Sequence, residues 1–167
     1  MTNLNIPWTL DQALAERARL RSTGARLVFT NGHFDLLHVG HLDYLQKARA
    51  LGDALMVGIN GDSAACRLKG TGRPIVPAIE RAQLIGGLRC VTGAIIFEDD
   101  TANALISQLQ PDIYVKGGDY ADKAWPERAI VLAYGGTVQL IPYLPDHSTS
   151  ALIAKIRALP DESARDH

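Results

Sequence analysis

The apolar run Leu27-Val28-Phe29-Thr30 passes directly into Asn31-Gly32-His33-Phe34-Asp35-Leu36-Leu37-His38-Val39-Gly40-His41. A short buried strand therefore feeds a glycine-containing turn, and the turn ends in His-x-Gly-His where a helical pattern begins. This junction constrains the fold more than any other stretch. A helix N-terminus just beyond a strand end carries unpaired backbone donors and the positive end of the helix dipole. Such a place holds phosphate readily. Gly40 lets a bound phosphate approach the backbone, and His38 and His41, three residues apart, share one helical face. A capped helix with two surface histidines is the plainer alternative. Two histidines around a glycine, behind a strand and a tight turn, favour an anion site.

The rest of the chain repeats the alternation of strand and helix. Residues 9–23 read as a polar amphipathic helix with Thr9 as N-cap and Leu10, Leu14, Ala18 and Arg21 on one side; Gly24 ends it. Strands are expected at 26–30, 54–59, 91–97, 112–115 and 137–142, and the run at 54–59 is apolar throughout, as a central parallel strand should be. Helices are expected at 39–51, from the turn at 60–63 to 68, and at 77–88, 101–108, 124–134 and 148–158, with Asp100 or Thr101 capping the fourth of these. The tail 160–167 is polar and reads as loose. Such alternation predicts an α/β fold: an open, doubly wound parallel sheet of about five strands with helices on both faces.

With 167 residues the chain is expected to form a single domain. A net charge of −1 offers no bulk attraction to nucleic acid or to an anionic membrane, so a small anion must be held by a local cluster. Cys66 and Cys90 form neither a metal spacing nor a disulfide framework, which fits a reduced, cytoplasmic setting. Residues 1–8 show no basic segment followed by an apolar stretch, so no signal peptide is expected, and no apolar run approaches a membrane-spanning length.

In doubly wound sheets ligands sit beyond the carboxyl ends of the strands. Three strand ends carry polar, glycine- or histidine-bearing segments: residues 31–41, Lys116-Gly117-Gly118-Asp119-Tyr120, and Pro145-Asp146-His147-Ser148-Thr149-Ser150. Lys116-Gly117-Gly118-Asp119 reads either as a plain turn or as a place where a nucleotide approaches the backbone while Asp119 accepts from a ribose hydroxyl. Ser148 and Thr149 are at the least N-cap residues of the last helix. No catalytic triad and no covalent nucleophile is evident. None is required if a phosphorylated substrate supplies its own oxygen nucleophile.

These motifs resemble the cytidylyltransferase-like nucleotidyltransferases, whose His-x-Gly-His holds a nucleotide triphosphate. The resemblance runs from about Val28 to Ile156. Asn31-Gly32-x-Phe34-Asp35, Leu68-Lys69-Gly70, Arg73-Pro74, Phe97-Glu98-x-Asp100-Thr101, Pro111-Asp112, Val115-Lys116-Gly117-Gly118-Asp119-Tyr120 and Gly135-Gly136 are together similar to the adenylyltransferase half of ADP-heptose synthase. In many bacteria that half is fused behind a sugar kinase; this chain has no room for one and resembles the free-standing heptose 1-phosphate adenylyltransferase.

The resemblance implies AMP transfer from ATP to a heptose 1-phosphate with release of pyrophosphate. It implies His38, His41 and Lys69 as catalytic residues. Asn31, Gly32, His33, Phe34, Gly40, Lys116, Gly117, Asp119, Ser148 and Thr149 would hold the nucleotide and its phosphates, and Asp35, Arg73 and Arg81 the second substrate. Mg²⁺ is expected, carried largely by phosphate oxygens rather than by a protein metal site, and relatives are often homodimers.

Two departures stand out. Position 33 is often cysteine in these relatives and here is His33. The closing segment Leu144-Pro145-Asp146-His147 lacks the arginine common in cytidylyltransferases such as the glycerol 3-phosphate enzyme, which disfavours CTP. No side chain reads adenine, so the base preference rests on the resemblance. The alternatives are a cytidylyltransferase acting on a polyol or alcohol phosphate and a catalytically inactive nucleotide-binding module. Retention of His38, His41 and Lys69 favours an enzyme.

Overall fold

Residues 6–118 and 125–160 are described by the computed structural model, and among them five strands alternate with seven helices. In chain order these are α1 (Leu10–Ser22), β1 (Leu27–Gly32), α2 (Val39–Arg49), β2 (Ala54–Asn60), α3 (Asp62–Lys69), α4 (Ala78–Gly86), β3 (Gly93–Phe97), α5 (Asn103–Leu109), β4 (Ile113–Gly117), α6 (Pro126–Ala133), β5 (Thr137–Ile141) and α7 (Thr149–Arg157). Asp119, the start of the helix expected at 124, and the tail beyond 160 lie outside the described residues.

All pairings are parallel and the strand order is β3-β2-β1-β4-β5. The chain winds outward from β1 to β3, then returns to the other side of β1 and winds outward to β5. β1 sits in the middle, with Leu27 beside Ala54 on one flank and Val28 beside Ile113 on the other. The direction of winding reverses between β1 and β4, and the carboxyl ends of those two strands open the crevice in which such sheets bind ligands. This is the open, doubly wound architecture expected from the alternation of elements.

Alternation of side chains along the strands builds one core on each face of the sheet. Val28, Leu55, Val57 and Ile59 pack with Leu45 and Ala48 of α2 and with Ala82 and Ile85 of α4. Leu27, Phe29, Ala54 and Met56 pack with Leu20 of α1, Leu105, Ile106 and Leu109 of α5 and Val131 of α6. Every residue of β2 is buried, which accounts for its unbroken apolar sequence. No described helix is long and apolar enough to cross a membrane.

Two local expectations are corrected. α1 fully buries Ala13, Arg17 and Leu20; of the expected face Leu10 and Leu14 pack partly buried against the same core, while Ala18 and Arg21 are exposed. The cause is Arg17, whose guanidinium grips the Asp112 carboxylate at 2.7 and 3.0 Å and the carbonyls of Leu109 and Gln110 at 3.2 and 2.7 Å. That grip rotates a charged residue into the interface. The N-cap of α5 is Ala102, without a side-chain cap, rather than Asp100 or Thr101. Asp100 instead pairs with Arg67 of α3 at 2.7 Å.

Candidate active site

The β1–α2 turn is tightly wound. Phe34 and Leu36 take left-handed backbone angles, φ 49° and 50°, which cost energy in residues with a Cβ and persist only where surroundings hold them. Phe34 is held by burial, with its ring 5.4 Å from that of His41. Asp35 is held by hydrogen bonds at both its ends. The turn delivers His38 in an extended conformation as the N-cap of α2.

His38 and His41 stack with ring centroids 3.8 Å apart. The His38 backbone N–H donates to Nδ1 of His41 at 3.4 Å, which leaves the His41 proton on Nε2. Burial, followed by the neighbouring His38, pushes the His41 pKa down to about 4. Burial and then His147 lower that of His38. His38 Nδ1 is buried without a hydrogen-bond partner. The pair is therefore neutral near pH 7 and offers N–H donors rather than charge. An anion bound here would raise both values again.

The N-terminus of α7 closes over the same place. Thr149 Oγ1 donates to the Asp35 carbonyl at 2.7 Å, and Ser148 Oγ accepts from the Ala151 N–H at 3.1 Å as an N-cap. A Cβ on Gly40 would lie 3.0 Å from both the His147 Cβ and the His38 ring, so any larger residue would press on both histidines where the two helix starts meet. Two helix N-termini thus converge on one point, and their unpaired amides and dipoles act together. His147 is brought to this point with its Nδ1 2.6 Å from the Pro145 carbonyl.

The charged residues behave differently. The Asp35 carboxylate, 2% exposed, accepts from Arg73 Nε at 2.9 Å and from the backbone N–H groups of Ile75 and Val76 at 2.9 and 3.0 Å. Burial alone would raise its pKa, but these donors outweigh it and hold the value below the usual carboxylate range. Arg81 is 1% exposed and donates to the carbonyls of Val76 (2.7 Å), Asn60 (2.9 Å) and His33 and to the Asp62 carboxylate (2.8 Å). From the sequence Arg81 and Asp35 were expected to face substrate. In the structure both latch the 73–76 segment to the turn, and their polar groups are spent on protein.

His33 lies beside this latch. Burial, then the charges of Lys69, Arg81 and Arg73, push its pKa down to about 4, and its Nδ1 is buried without a hydrogen-bond partner. Lys69 is the exposed last residue of α3, and a glycine-bearing loop follows it. The loop starts at the C-cap Gly70, and Gly70 and Gly72 have positive φ and open space around them.

Across the crevice, Lys116 turns inward to Glu127 at 3.1 Å. Asn31 Oδ1 accepts from the Tyr114 hydroxyl at 2.7 Å. The Tyr143 ring lies against Gly117, where a Cβ would come within 2.6 Å of it. The structure therefore gathers Asn31, Gly32, Phe34, Gly40, His38, His41, Ser148 and Thr149 around the strand ends, with His33, Arg73 and Lys69 along one rim.

The cytidylyltransferase-like family model matches residues 29–154. The chain belongs to the cytidylyltransferase-like family. Its curated relatives include the bifunctional protein HldE of Geotalea uraniireducens, 49% identical over 146 residues that make up 87% of this chain and 30% of that protein. The HldE proteins of Citrifermentans bemidjiense and Pseudomonas aeruginosa are 50% and 45% identical over 83% and 89% of this chain. The chain thus spans about a third of the length of these relatives. Among solved structures, the lipopolysaccharide core biosynthesis protein from Thermoplasma volcanium superposes with a TM-score of 0.60 at 30% identity, covering 72% of this chain and 98% of that one.

As a cytidylyltransferase-like domain the chain keeps its histidine turn where the family match begins, but several residues that shape the site are not evident from sequence. Glu127 reads as an ordinary first-turn acid of α6, Asp62 as a cap and Tyr114 as a core aromatic. Only His147, next to Ser148-Thr149-Ser150, carries a signal in its neighbours.

Proposed function

We propose that this protein transfers the adenylyl group of ATP to a heptose 1-phosphate, giving ADP-heptose and pyrophosphate. The observation that carries the proposal is the convergence of the α2 and α7 N-termini on the neutral His38–His41 pair. That site suits a polyphosphate and contains no nucleophile of its own. The long motif resemblance to the adenylyltransferase half of ADP-heptose synthase supports the choice of substrates. So do the HldE relatives and the likeness to a lipopolysaccharide core biosynthesis protein.

In this reaction a phosphate oxygen of the sugar 1-phosphate attacks the α-phosphorus of ATP. The bond from that phosphorus to the pyrophosphate oxygen breaks, and the electron pair leaves with pyrophosphate. The protein's part is to align the two phosphates and to answer the charge that shifts to the leaving group. The His41 Nε2–H and the helix-start amides are fixed donors for that charge. Lys69, on the exposed end of α3 beside an open glycine loop, supplies a mobile positive charge.

Among the described residues no group of three or more His, Cys, Asp or Glu side chains could hold a metal ion, and the Asp35 carboxylate is spent on Arg73 and two amides. A Mg²⁺ ion carried by the triphosphate itself fits this donor set and would supply further charge neutralisation. The free thiols Cys66 and Cys90 suit a reducing cytoplasm.

The test is pyrophosphate release from ATP, CTP, GTP and UTP against a panel of sugar and polyol phosphates. ATP with a heptose 1-phosphate should be fastest. Faster turnover with CTP and glycerol 3-phosphate would replace this reading by that of a polyol-phosphate cytidylyltransferase.

A further inference from the structure

A chain of polar contacts runs from α6 beneath the crevice to the turn that leads to His38, and it has a direction. The Glu127 carboxylate, 4% exposed, accepts from Lys116 Nζ at 3.1 Å. Lys116 Nζ also lies 3.3 Å from the Tyr114 hydroxyl oxygen. Tyr114 is fully buried against Phe29, and its hydroxyl lies 2.7 Å from Oδ1 of Asn31. Asn31 stands near the carboxyl end of β1.

The chemistry of these groups orders the protons. An ionised carboxylate only accepts, and an ammonium only donates. Lys116 must therefore donate both to Glu127 and to the Tyr114 oxygen. With that oxygen receiving a proton, the tyrosine directs its own O–H at Asn31. The Asn31 amide can meet it only with Oδ1. A flipped amide would set an N–H against the O–H. The Nδ2–H₂ group is thus turned away from Tyr114 and free of the choice that usually leaves an asparagine amide undetermined.

We propose that Glu127, Lys116 and Tyr114 are positioning residues that fix the amide of Asn31, so that its Nδ2–H₂ donates to a phosphate oxygen of the bound nucleotide. The donor role rests on the nucleotidyltransferase reading; the orientation of the amide does not. Lys116 then acts on the nucleotide through Tyr114 and Asn31, with its own charge balanced by Glu127.

Tyr114→Phe removes the hydroxyl and keeps the ring. It should lower kcat/KM for ATP about tenfold in the otherwise native protein and less than about twofold in an Asn31→Ala background, because both changes break one chain. Glu127→Gln, whose amide oxygen still accepts from Lys116, should cost less than Glu127→Ala. An equal loss from Tyr114→Phe in both backgrounds overturns the donor role, since a merely structural tyrosine would act independently of Asn31.

A second readout needs no substrate. The ¹H–¹⁵N signals of the Asn31 side-chain amide should shift in Tyr114→Phe and in Glu127→Ala. If they do not move, the relay is wrong even in an active enzyme. If they move but the native protein releases no pyrophosphate from ATP with any sugar phosphate, the functional reading and the donor role fall, and the orientation alone stands.

Discussion

The junction of α2 with α7 and the latch around Asp35 lie on either side of one turn, and they use polar residues in opposite ways. In the latch, the two buried charges are fully engaged: Asp35 holds Arg73 and two amides, and Arg81 holds three carbonyls and Asp62. In the junction the histidines carry no charge, and His38 keeps a buried nitrogen without a partner. A residue's formal charge is thus a poor guide to whether it meets a ligand. What counts is whether its donors are already spent. The latch shapes the turn, and the junction is left with unspent donors for an anion.

Removing the latch should unfold rather than merely inactivate. Arg81→Ala removes the donor from three carbonyls, and each buried polar group left unsatisfied costs about 1–3 kcal/mol, whereas the half-exposed Asp62 carboxylate can be met by water. Thermal melts should show the loss, and residual activity should follow the folded fraction. A variant that melts like the native protein but no longer uses ATP would move Arg81 from the latch into the binding site. In the junction the reverse is expected. His41→Ala and His38→Ala should each lower kcat by about 10²–10³, the usual cost of one preorganised donor to a developing oxyanion, with little change in melting temperature. Near-native turnover in both would reduce them to surface histidines.

Lys69→Ala sharpens the contrast, since this charge is exposed and the latch pairs Asp35 with Arg73 and Asp62 with Arg81 instead. It should lower kcat by roughly ten- to a hundredfold while the ATP dissociation constant stays within about threefold, as for a group whose charge is felt mainly in the transition state. Lys69→Arg should rescue poorly, because the larger planar fork does not replace a compact point charge. A change confined to ATP affinity would make Lys69 a simple binding residue.

The smallest effect expected is on the pH dependence of stability. His41 and His33 have folded pKa values near 4 against an ordinary 6.5, so the unfolded chain binds more protons between those values. Stability should be flat above that window and fall as pH drops through it. Asp35, whose value is lowered, adds stability above the ordinary carboxylate range that is lost only in stronger acid. Melting curves of the native protein and of His41→Gln test this: the variant should show the shallower fall. Parallel profiles would mean that His41 already titrates normally in the folded protein.

The sheet was legible in the sequence because central parallel strands are buried on both faces and so are apolar without interruption, as at Ala54–Asn60. The histidine turn was legible because strand, glycine and helix start are adjacent in the chain. The roles of Arg17 and Arg81 were not. Arg17 finds Asp112 ninety-five residues away and Arg81 finds the His33 carbonyl forty-eight residues away, and such partners leave no local pattern. The uncapped start of α5 was missed for a related reason: Asp100 is drawn to Arg67 on another helix.

The triphosphate should meet the histidine junction and not the latch. An NMR titration with Mg·ATP reads both regions at once, through the imidazole nitrogens of His38 and His41 and the Nε–H of Arg81. Saturable shifts are expected at both histidines, with the signal of Arg81 unmoved. Unmoved histidines, together with an Arg81 signal that shifts with ATP, would contradict that placement.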